Sequence, residues 1–178
     1  MYYNIENMKF NELYQKAKSL AHEKHKNQRY SNNQPYTVHL QAVEAVLRRF
    51  GYSPDLTERN QNLIIGAWLH DIIEDTDATY QMIELEFGKE IAELVHAVTN
   101  EPGMNRKERH EKTYPKIKNH TYAIILKLAD RIANVEESVK SKSTLLGMYR
   151  KEWKEFKVKL QNNGECQEMW DFLDKILS

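Results

Sequence analysis

The stretch "LIIGAWLHDIIEDT", Leu63 to Thr76, decides how the chain is read. Its first seven residues are apolar or small and free of proline, so they predict a buried helix. The run continues into His70-Asp71, returns to Ile72-Ile73, and then presents Glu74-Asp75. Ionisable groups in such a setting cost free energy unless something compensates them. Neighbouring helical positions lie about 100° apart, so His70 and Asp71 can both reach a single point beside the helix. Glu74, four residues after His70 and three after Asp71, falls over the same face. A lone histidine here would read as a hydrogen-bonded core residue. Four polar groups in six residues read better as a site.

Outward from this stretch the pattern stays helical. Phe10, Leu13, Tyr14, Ala17, Leu20 and Ala21 share one face of a first helix. A second runs from about His39 to Phe50 and stops at Gly51, a suitable C-terminal cap. Thr79 caps a short helix ending at Gly88, and Ile91, Leu94, Val95 and Val98 mark the next. Ile124, Ile125, Leu128, Ile132 and Val135 carry another, followed by Tyr149, Trp153, Phe156 and Leu160, and finally Met169, Trp170, Leu173, Ile176 and Leu177. The Asn-rich residues 27–36 predict a loop. Residues 101–120, polar and basic, predict a mobile connector with a helical turn or two. Period-two alternation is almost absent, and the fold class expected is all-α, a single compact multi-helix bundle over residues 1–178.

Composition narrows the function. The 178 residues balance 26 Lys+Arg against 26 Asp+Glu, so no basic surplus points to duplex nucleic acid. No apolar segment approaches the roughly 20 residues needed to span a bilayer. The start, "MYYNIENMKF", lacks the basic and apolar regions of a signal peptide, and Cys166 has no second cysteine to pair with. A cytoplasmic protein acting on small molecules is the expectation.

Two further intrusions of polar residues accompany the first. Asp130 interrupts the apolar face of "LKLADRIAN", with Asn134 one turn later. Paired with Arg131 or a helix end it would be structural. His39 stands at the start of the second helix, and taken alone it reads as a surface or capping histidine. In combination, imidazole and carboxylate suit a divalent transition metal such as manganese, iron or zinc. Two His and two Asp would leave positions for water and a substrate oxygen. Glu74 and Asp75 could then orient the water and take its proton.

These motifs resemble the HD metal-dependent phosphohydrolases, and within them the alarmone (ppGpp) hydrolases: the hydrolase domain of RelA/SpoT proteins and their small stand-alone relatives. Four blocks carry the resemblance in family order: "AHEKHKNQRYSNNQPYTVH" from Ala21, "AWLHDIIEDTDAT" from Ala67, "FGKEIAELVHAVTN" from Phe87 and "ILKLADRIANV" from Ile125. The resemblance implies a motif core over about residues 21–135, closed by C-terminal helices over about 143–177, with no synthetase domain. It implies one Mn2+ ion on His39, His70, Asp71 and Asp130, with Glu74 and Asp75 serving the attacking water. It implies that Arg29 stacks on guanine, Ser31 lines the nucleotide pocket and Asn134 touches the sugar, and it places Tyr149 as a pocket aromatic. The reaction implied is removal of the 3′-pyrophosphate from ppGpp or pppGpp, giving GDP or GTP. Other expectations are the 2′-phosphate of NADPH, a pyrophosphorylated RNA end, or an antitoxin-like protein that binds without turnover. Arg106, Lys107, Arg109, His110 and Lys112 could bind extra phosphates or form a solvated helical face.

The chain departs from the family pattern beside the pocket. The loop from Arg29 to His39 is one residue longer than Arg-x-Ser-Gly-x-Pro-Tyr-x-x-His, with Asn32-Asn33-Gln34 near the usual glycine. Tyr30 replaces a frequent lysine, and Leu40 follows His39 where proline is customary.

Overall fold

The computed structural model describes residues 2–161 and 166–178. Ten α-helices account for most of them: α1 (Tyr2–Lys24), α2 (Thr37–Arg49), α3 (Glu58–Leu69), α4 (Ile72–Asp75), α5 (Tyr80–Phe87), α6 (Lys89–Val98), α7 (Arg106–Asn119), α8 (Ala123–Lys140), α9 (Leu145–Leu160) and α10 (Gln167–Leu177). The all-α expectation holds. None of these helices is long and apolar enough to cross a membrane.

Local chemistry sets the helix ends. Thr57 and Thr79 accept hydrogen bonds from the backbone N–H of Asn60 and Met82, capping α3 and α5. After α2, Gly51 adopts φ +87° and its N–H bonds to the Arg48 carbonyl, while Tyr52 N–H reaches Leu47 O at 3.0 Å. That double closure requires a left-handed residue, which glycine supplies without a Cβ clash.

The helix α8 is the axis of packing. It is buried at eleven positions, from Ala123 to Ser138, and touches α2, α3, α6, α7, α9 and α10. The helix α3 lies close against α6 and α8 because Gly66 lacks a side chain; a Cβ there would sit 3.0 Å from Leu94 Cδ2 and 3.2 Å from Leu126 Cδ2. These contacts place the opening motif on α3 next to the middle of α8.

The structure corrects the expectation in three places. Residues 101–120 are no connector but contain the fourteen-residue α7. Asn105 caps it by accepting from Glu108 N–H, and Glu108 accepts in turn from Met104 N–H. Its inward face is His110, Thr113, Tyr114 and Ile117, too polar to register as a hydrophobic stripe. The predicted loop at 27–36 folds into a small antiparallel hairpin, β1 (Arg29–Tyr30) and β2 (Gln34–Pro35). Its turn absorbs the extra residue by placing Asn32 and Asn33 at φ +53° and +61°, which asparagine tolerates better than most residues. Finally, the helix carrying the opening motif ends at Leu69, and α4 starts afresh at Ile72. Asp71, at φ −100° and ψ 0°, makes the break.

A buried carboxylate ties the first three long helices together. Glu44 on α2 accepts from Tyr14 Oη on α1 at 2.9 Å, from Trp68 Nε1 on α3 at 2.5 Å, and from Arg48 Nε at 2.8 Å. Removing it would strand the indole N–H of Trp68, a residue only 3% exposed. Glu44→Ala is expected to destabilise the fold by about 3 kcal/mol in urea unfolding. Breaking the exposed Lys107–Glu111 pair (3.9 Å) by Lys107→Ala should change stability by less than about 0.5 kcal/mol.

Candidate active site

Three elements bring four potential ligands to one point. His39 comes from the first turn of α2, His70 and Asp71 from the break after α3, and Asp130 from the middle of α8. His39 Nε2 lies 3.3 Å from His70 Nε2, 3.3 Å from Asp130 Oδ1 and 3.6 Å from Asp71 Oδ2. His70 Nε2 lies 2.9 Å from Asp71 Oδ2 and 3.8 Å from Asp130 Oδ1. The two histidines are 1% and 2% exposed. His70 Nδ1 faces the Ala67 carbonyl at 3.0 Å, an oxygen that only accepts, so Nδ1 carries a proton and Nε2 is turned to the cluster.

The donor set fits a divalent cation. Burial opposes charge on His70, yet Asp71 and then Asp130 outweigh it and lift the imidazole to about 9. Both carboxyls stay below their usual range despite burial: His70 holds Asp71 down, and Lys127, His39 and His70 hold Asp130 down. A buried site that binds a proton so tightly is short of positive charge. Among the described residues, His39, His70 and Asp130 have ligand atoms all within 4.8 Å of one another, and Asp71 adjoins both imidazoles. Nitrogen and oxygen donors together suit a transition ion better than calcium.

A ring of neighbours fixes these side chains. Tyr36 Oη donates to Asp71 Oδ2 at 2.5 Å. Lys127 Nζ stands 3.0 Å from Asp130 Oδ2, and Asn134 Nδ2 donates to Asp130 Oδ1 at 2.5 Å. Asp130 therefore pairs with Lys127, one turn earlier, while Arg131 turns elsewhere. Tyr30 lays its ring over His39, centroids 5.0 Å apart, and its hydroxyl donates to Asn134 Oδ1 at 3.1 Å. Burial pushes both the Tyr30 and the Tyr36 hydroxyl far above the ordinary phenol range, so each stays a donor.

A cavity of about 190 Å³ opens beside the cluster. The carboxylates of Asp71, Glu74, Asp75 and Asp130 line it together with the cationic Arg106, Lys127 and Arg131, and with Asn100, His110, Asn134 and Tyr149. Both acids of α4 are anchored. Glu74 accepts from the Asn100 backbone N–H at 3.1 Å and from its amide at 3.0 Å. The helix break turns Glu74 toward this partner, so it lines the cavity without stacking over His70. Asp75 accepts from Gln28 Nε2 at 2.8 Å. As a residue Asp75 is exposed, but partial desolvation of its carboxyl, then Asp71 and Glu74, push it above the usual range.

The arginines are equally braced. Glu152 on α9 accepts from Arg106 Nε at 2.6 Å and from Arg131 Nη1 at 3.1 Å. Arg131 is held between the rings of Tyr149 and Phe156, 4.8 and 4.5 Å from their centroids. Of the basic run at 106–112, Arg106 and His110 face the cavity, whereas Lys107 and Lys112 pair with Glu111 and Glu108 on the outer face.

Asn134 and Tyr149 thus line the cavity as expected, while Arg29 and Ser31, on the hairpin, do not. Arg29 is exposed and makes two long contacts, to the carbonyls of Lys26 (3.4 Å) and Gln28 (3.5 Å). Sequence reasoning missed Gln28, Tyr36, Asn100 and Glu152, whose roles depend on partners far along the chain, and Lys127, whose partner Asp130 lies one turn on. A larger hollow of about 370 Å³ between α1, α3 and α6 contains no comparable cluster.

Residues 17–152 match the HD domain family. The chain belongs to it. The HD domain of this chain is 36% identical over 126 residues to the guanosine-3′,5′-bis(diphosphate) 3′-pyrophosphohydrolase of Aquifex aeolicus, covering 68% of this chain and 17% of that protein. It is 32% identical over 122 residues to the MESH1 3′-pyrophosphohydrolase of Danio rerio, covering 67% of this chain and 65% of the relative. The chain thus spans less than two thirds of either curated relative. A solved structure of a metazoan ortholog of SpoT that hydrolyzes ppGpp superposes with a TM-score of 0.76 at 24% identity, over 92% of this chain and 93% of the other. At that identity the superposition speaks for the fold.

One group beside the HD site gives stability a dependence on acid pH. Burial, then Arg106, pushes His110 down to about 4. Between about 6.5 and about 4 the unfolded chain binds a proton there that the folded protein refuses, so stability falls as pH drops through that window and levels off below it. Urea midpoints measured across this range should lose that component of their slope in His110→Phe.

Proposed function

We propose that this HD domain hydrolyses the 3′-pyrophosphate of guanosine alarmones, converting ppGpp or pppGpp to GDP or GTP and pyrophosphate. The observation that carries this reading is the convergence of His39, His70, Asp71 and Asp130 beside a cavity lined by both carboxylates and the cationic Arg106, Lys127 and Arg131. The names of the relatives supply the nucleotide. The ion we assign is Mn2+, for which the two-imidazole, two-carboxylate set is suited. Such an ion, when bound, makes water a stronger nucleophile at neutral pH and neutralises charge on a phosphoryl oxygen.

The remaining chemistry falls to the chain. Glu74, fixed by Asn100, orients the attacking water by accepting its hydrogen bond. Asp75, whose carboxyl has a raised affinity for protons, takes the proton released as water adds to phosphorus. Arg106, Arg131 and Lys127 meet the pyrophosphate oxygens and stabilise the charge that builds as the bond to the 3′-oxygen breaks. Because Glu152 and the two aromatic rings hold the guanidinium groups beforehand, little reorganisation is needed at that moment. Asn134 and Tyr149 contact the sugar side. Arg29, exposed and weakly tethered, swings to stack on the base with Ser31 beside it. The working compartment we assign is the reducing cytoplasm, which suits the single Cys166.

Three outcomes are expected. With ppGpp as substrate, Glu74→Gln should lower kcat at least about 100-fold while retaining manganese, and full turnover by that variant excludes the assignment. Arg29→Ala should raise KM more than it lowers kcat. Manganese at about 100 times its Kd should raise Tm by about 5–10 °C, and Asp130→Ala should abolish both that shift and metal content. A panel of 3′-pyrophosphorylated nucleotides, NADPH and pyrophosphorylated RNA identifies the preferred substrate by its products.

A further inference from the structure

Behind Asp75 lies a buried histidine that the reaction described above does not use. His25, just after α1, is 2% exposed. Its Nδ1 stands 2.6 Å from Gln28 Oε1, and Gln28 Nε2 donates to Asp75 Oδ2 at 2.8 Å. The His25 ring also stacks on Tyr36, centroids 4.9 Å apart, and Tyr36 is the hydroxyl donor to Asp71. Neither His25 nor Gln28 lines the cavity. Among the described residues, His25 Nε2 is buried without a hydrogen-bond partner.

Hydrogen-bond polarity along this chain is fixed by its end. A carboxylate only accepts, so the Gln28 amide must turn its NH2 to Asp75 and its carbonyl to His25. That carbonyl in turn accepts, so His25 carries its proton on Nδ1. Nε2 is then a bare lone pair in an apolar setting, a cheaper state than a buried N–H with no acceptor. The reverse tautomer would face Gln28 Oε1 with a second lone pair and release the amide to rotate. A rotated Gln28 would present its carbonyl to Asp75 and repel the carboxylate.

We propose that His25 and Gln28 form a positioning relay: His25 sets which face Gln28 shows, and Gln28 holds Asp75 Oδ2 as an acceptor, leaving the other oxygen for the water proton. The catalytic meaning rests on the role given to Asp75 above; the relay itself is a statement about hydrogen bonds. The charged groups around Asp75 are Asp71 and Glu74, which with desolvation favour its protonation, and the Gln28 donor acts against them. Loss of the donor tips that balance, so the carboxyl becomes protonated at higher pH.

The test uses the full chain loaded with manganese, with ppGpp as substrate and kcat and KM followed across the neutral pH range. Gln28→Leu should lower kcat about tenfold, leave KM within about twofold, and move the acid limb of the profile to higher pH. His25→Phe, which keeps the stack on Tyr36 but removes the N–H, should shift both in the same direction. His25→Asn, which restores an N–H donor, should recover most of the loss. The double variant His25→Phe/Gln28→Leu should be no worse than Gln28→Leu alone. Equal impairment in His25→Asn and His25→Phe, or an additive double variant, would assign His25 to packing and overturn the relay. Gln28 is partly exposed, so Gln28→Leu decides the matter if the His25 variants fail to fold, and an unmoved acid limb overturns the relay. Carboxyl carbon NMR gives a substrate-independent reading: Asp75 should titrate at higher pH in Gln28→Leu than in the wild type, and unchanged titration refutes the relay. A wild type inert toward ppGpp whose Asp75 still shifts would instead keep the relay and discard the substrate.

Discussion

Two carboxylates and two imidazoles crowded within about 4 Å at a helix junction form the constraint on which the rest of the molecule depends. Removed from water, such a set is tolerable only with positive charge among it. Lys127 supplies one such charge from the preceding turn of α8, and Tyr36 and Asn134 occupy further lone pairs of the carboxylates. The break between α3 and α4 falls at these same residues, with Asp71 at the imidazoles and Glu74, just beyond it, bonded to Asn100.

Among the cationic residues that line the same cavity the opposite problem is solved in the opposite way. Arg106 and Arg131 share one carboxylate, Glu152, so the pair keeps a surplus of positive charge. Arg131 is also confined by two aromatic rings, and the bidentate geometry at Arg106 restricts its rotation. Donors held rigid in this way stabilise developing negative charge more effectively than mobile ones, since no ordering is left to do. The neutral His110 between them adds no competing charge.

Much of this was legible in the sequence, for identifiable reasons. Nearly every helix followed from apolar spacing and from caps such as Thr79, Gly51 and Gly88. His70, Asp71 and Asp130 stood out because polar residues interrupted apolar faces, and the structure places them together with His39. The helix α7 was hidden because its buried face is His110, Thr113 and Tyr114, which no hydrophobic pattern singles out, although Asn105 and Glu108 did spell a capping pair. Gln28, Tyr36 and Glu152 were invisible for a different reason. Their significance comes from partners 47, 35 and 46 positions away, and local pattern carries no such information. Arg29 and Ser31 came from resemblance, and the structure sets both on the hairpin outside the cavity lining.

The hairpin has a consequence for how such a protein can diversify. Its turn is built on two left-handed asparagines and projects from the bundle, with residues 32–35 exposed. The ligand-bearing side chains, by contrast, are rooted in α2, α8 and the end of α3, helices that pack directly against one another. Insertions and exchanges in the turn therefore leave the ion cradle undisturbed. Under the roles proposed for Arg29 and Ser31, a change of nucleotide would be met in the hairpin while the ion cradle is kept, so a lineage could change its diet without rebuilding its teeth.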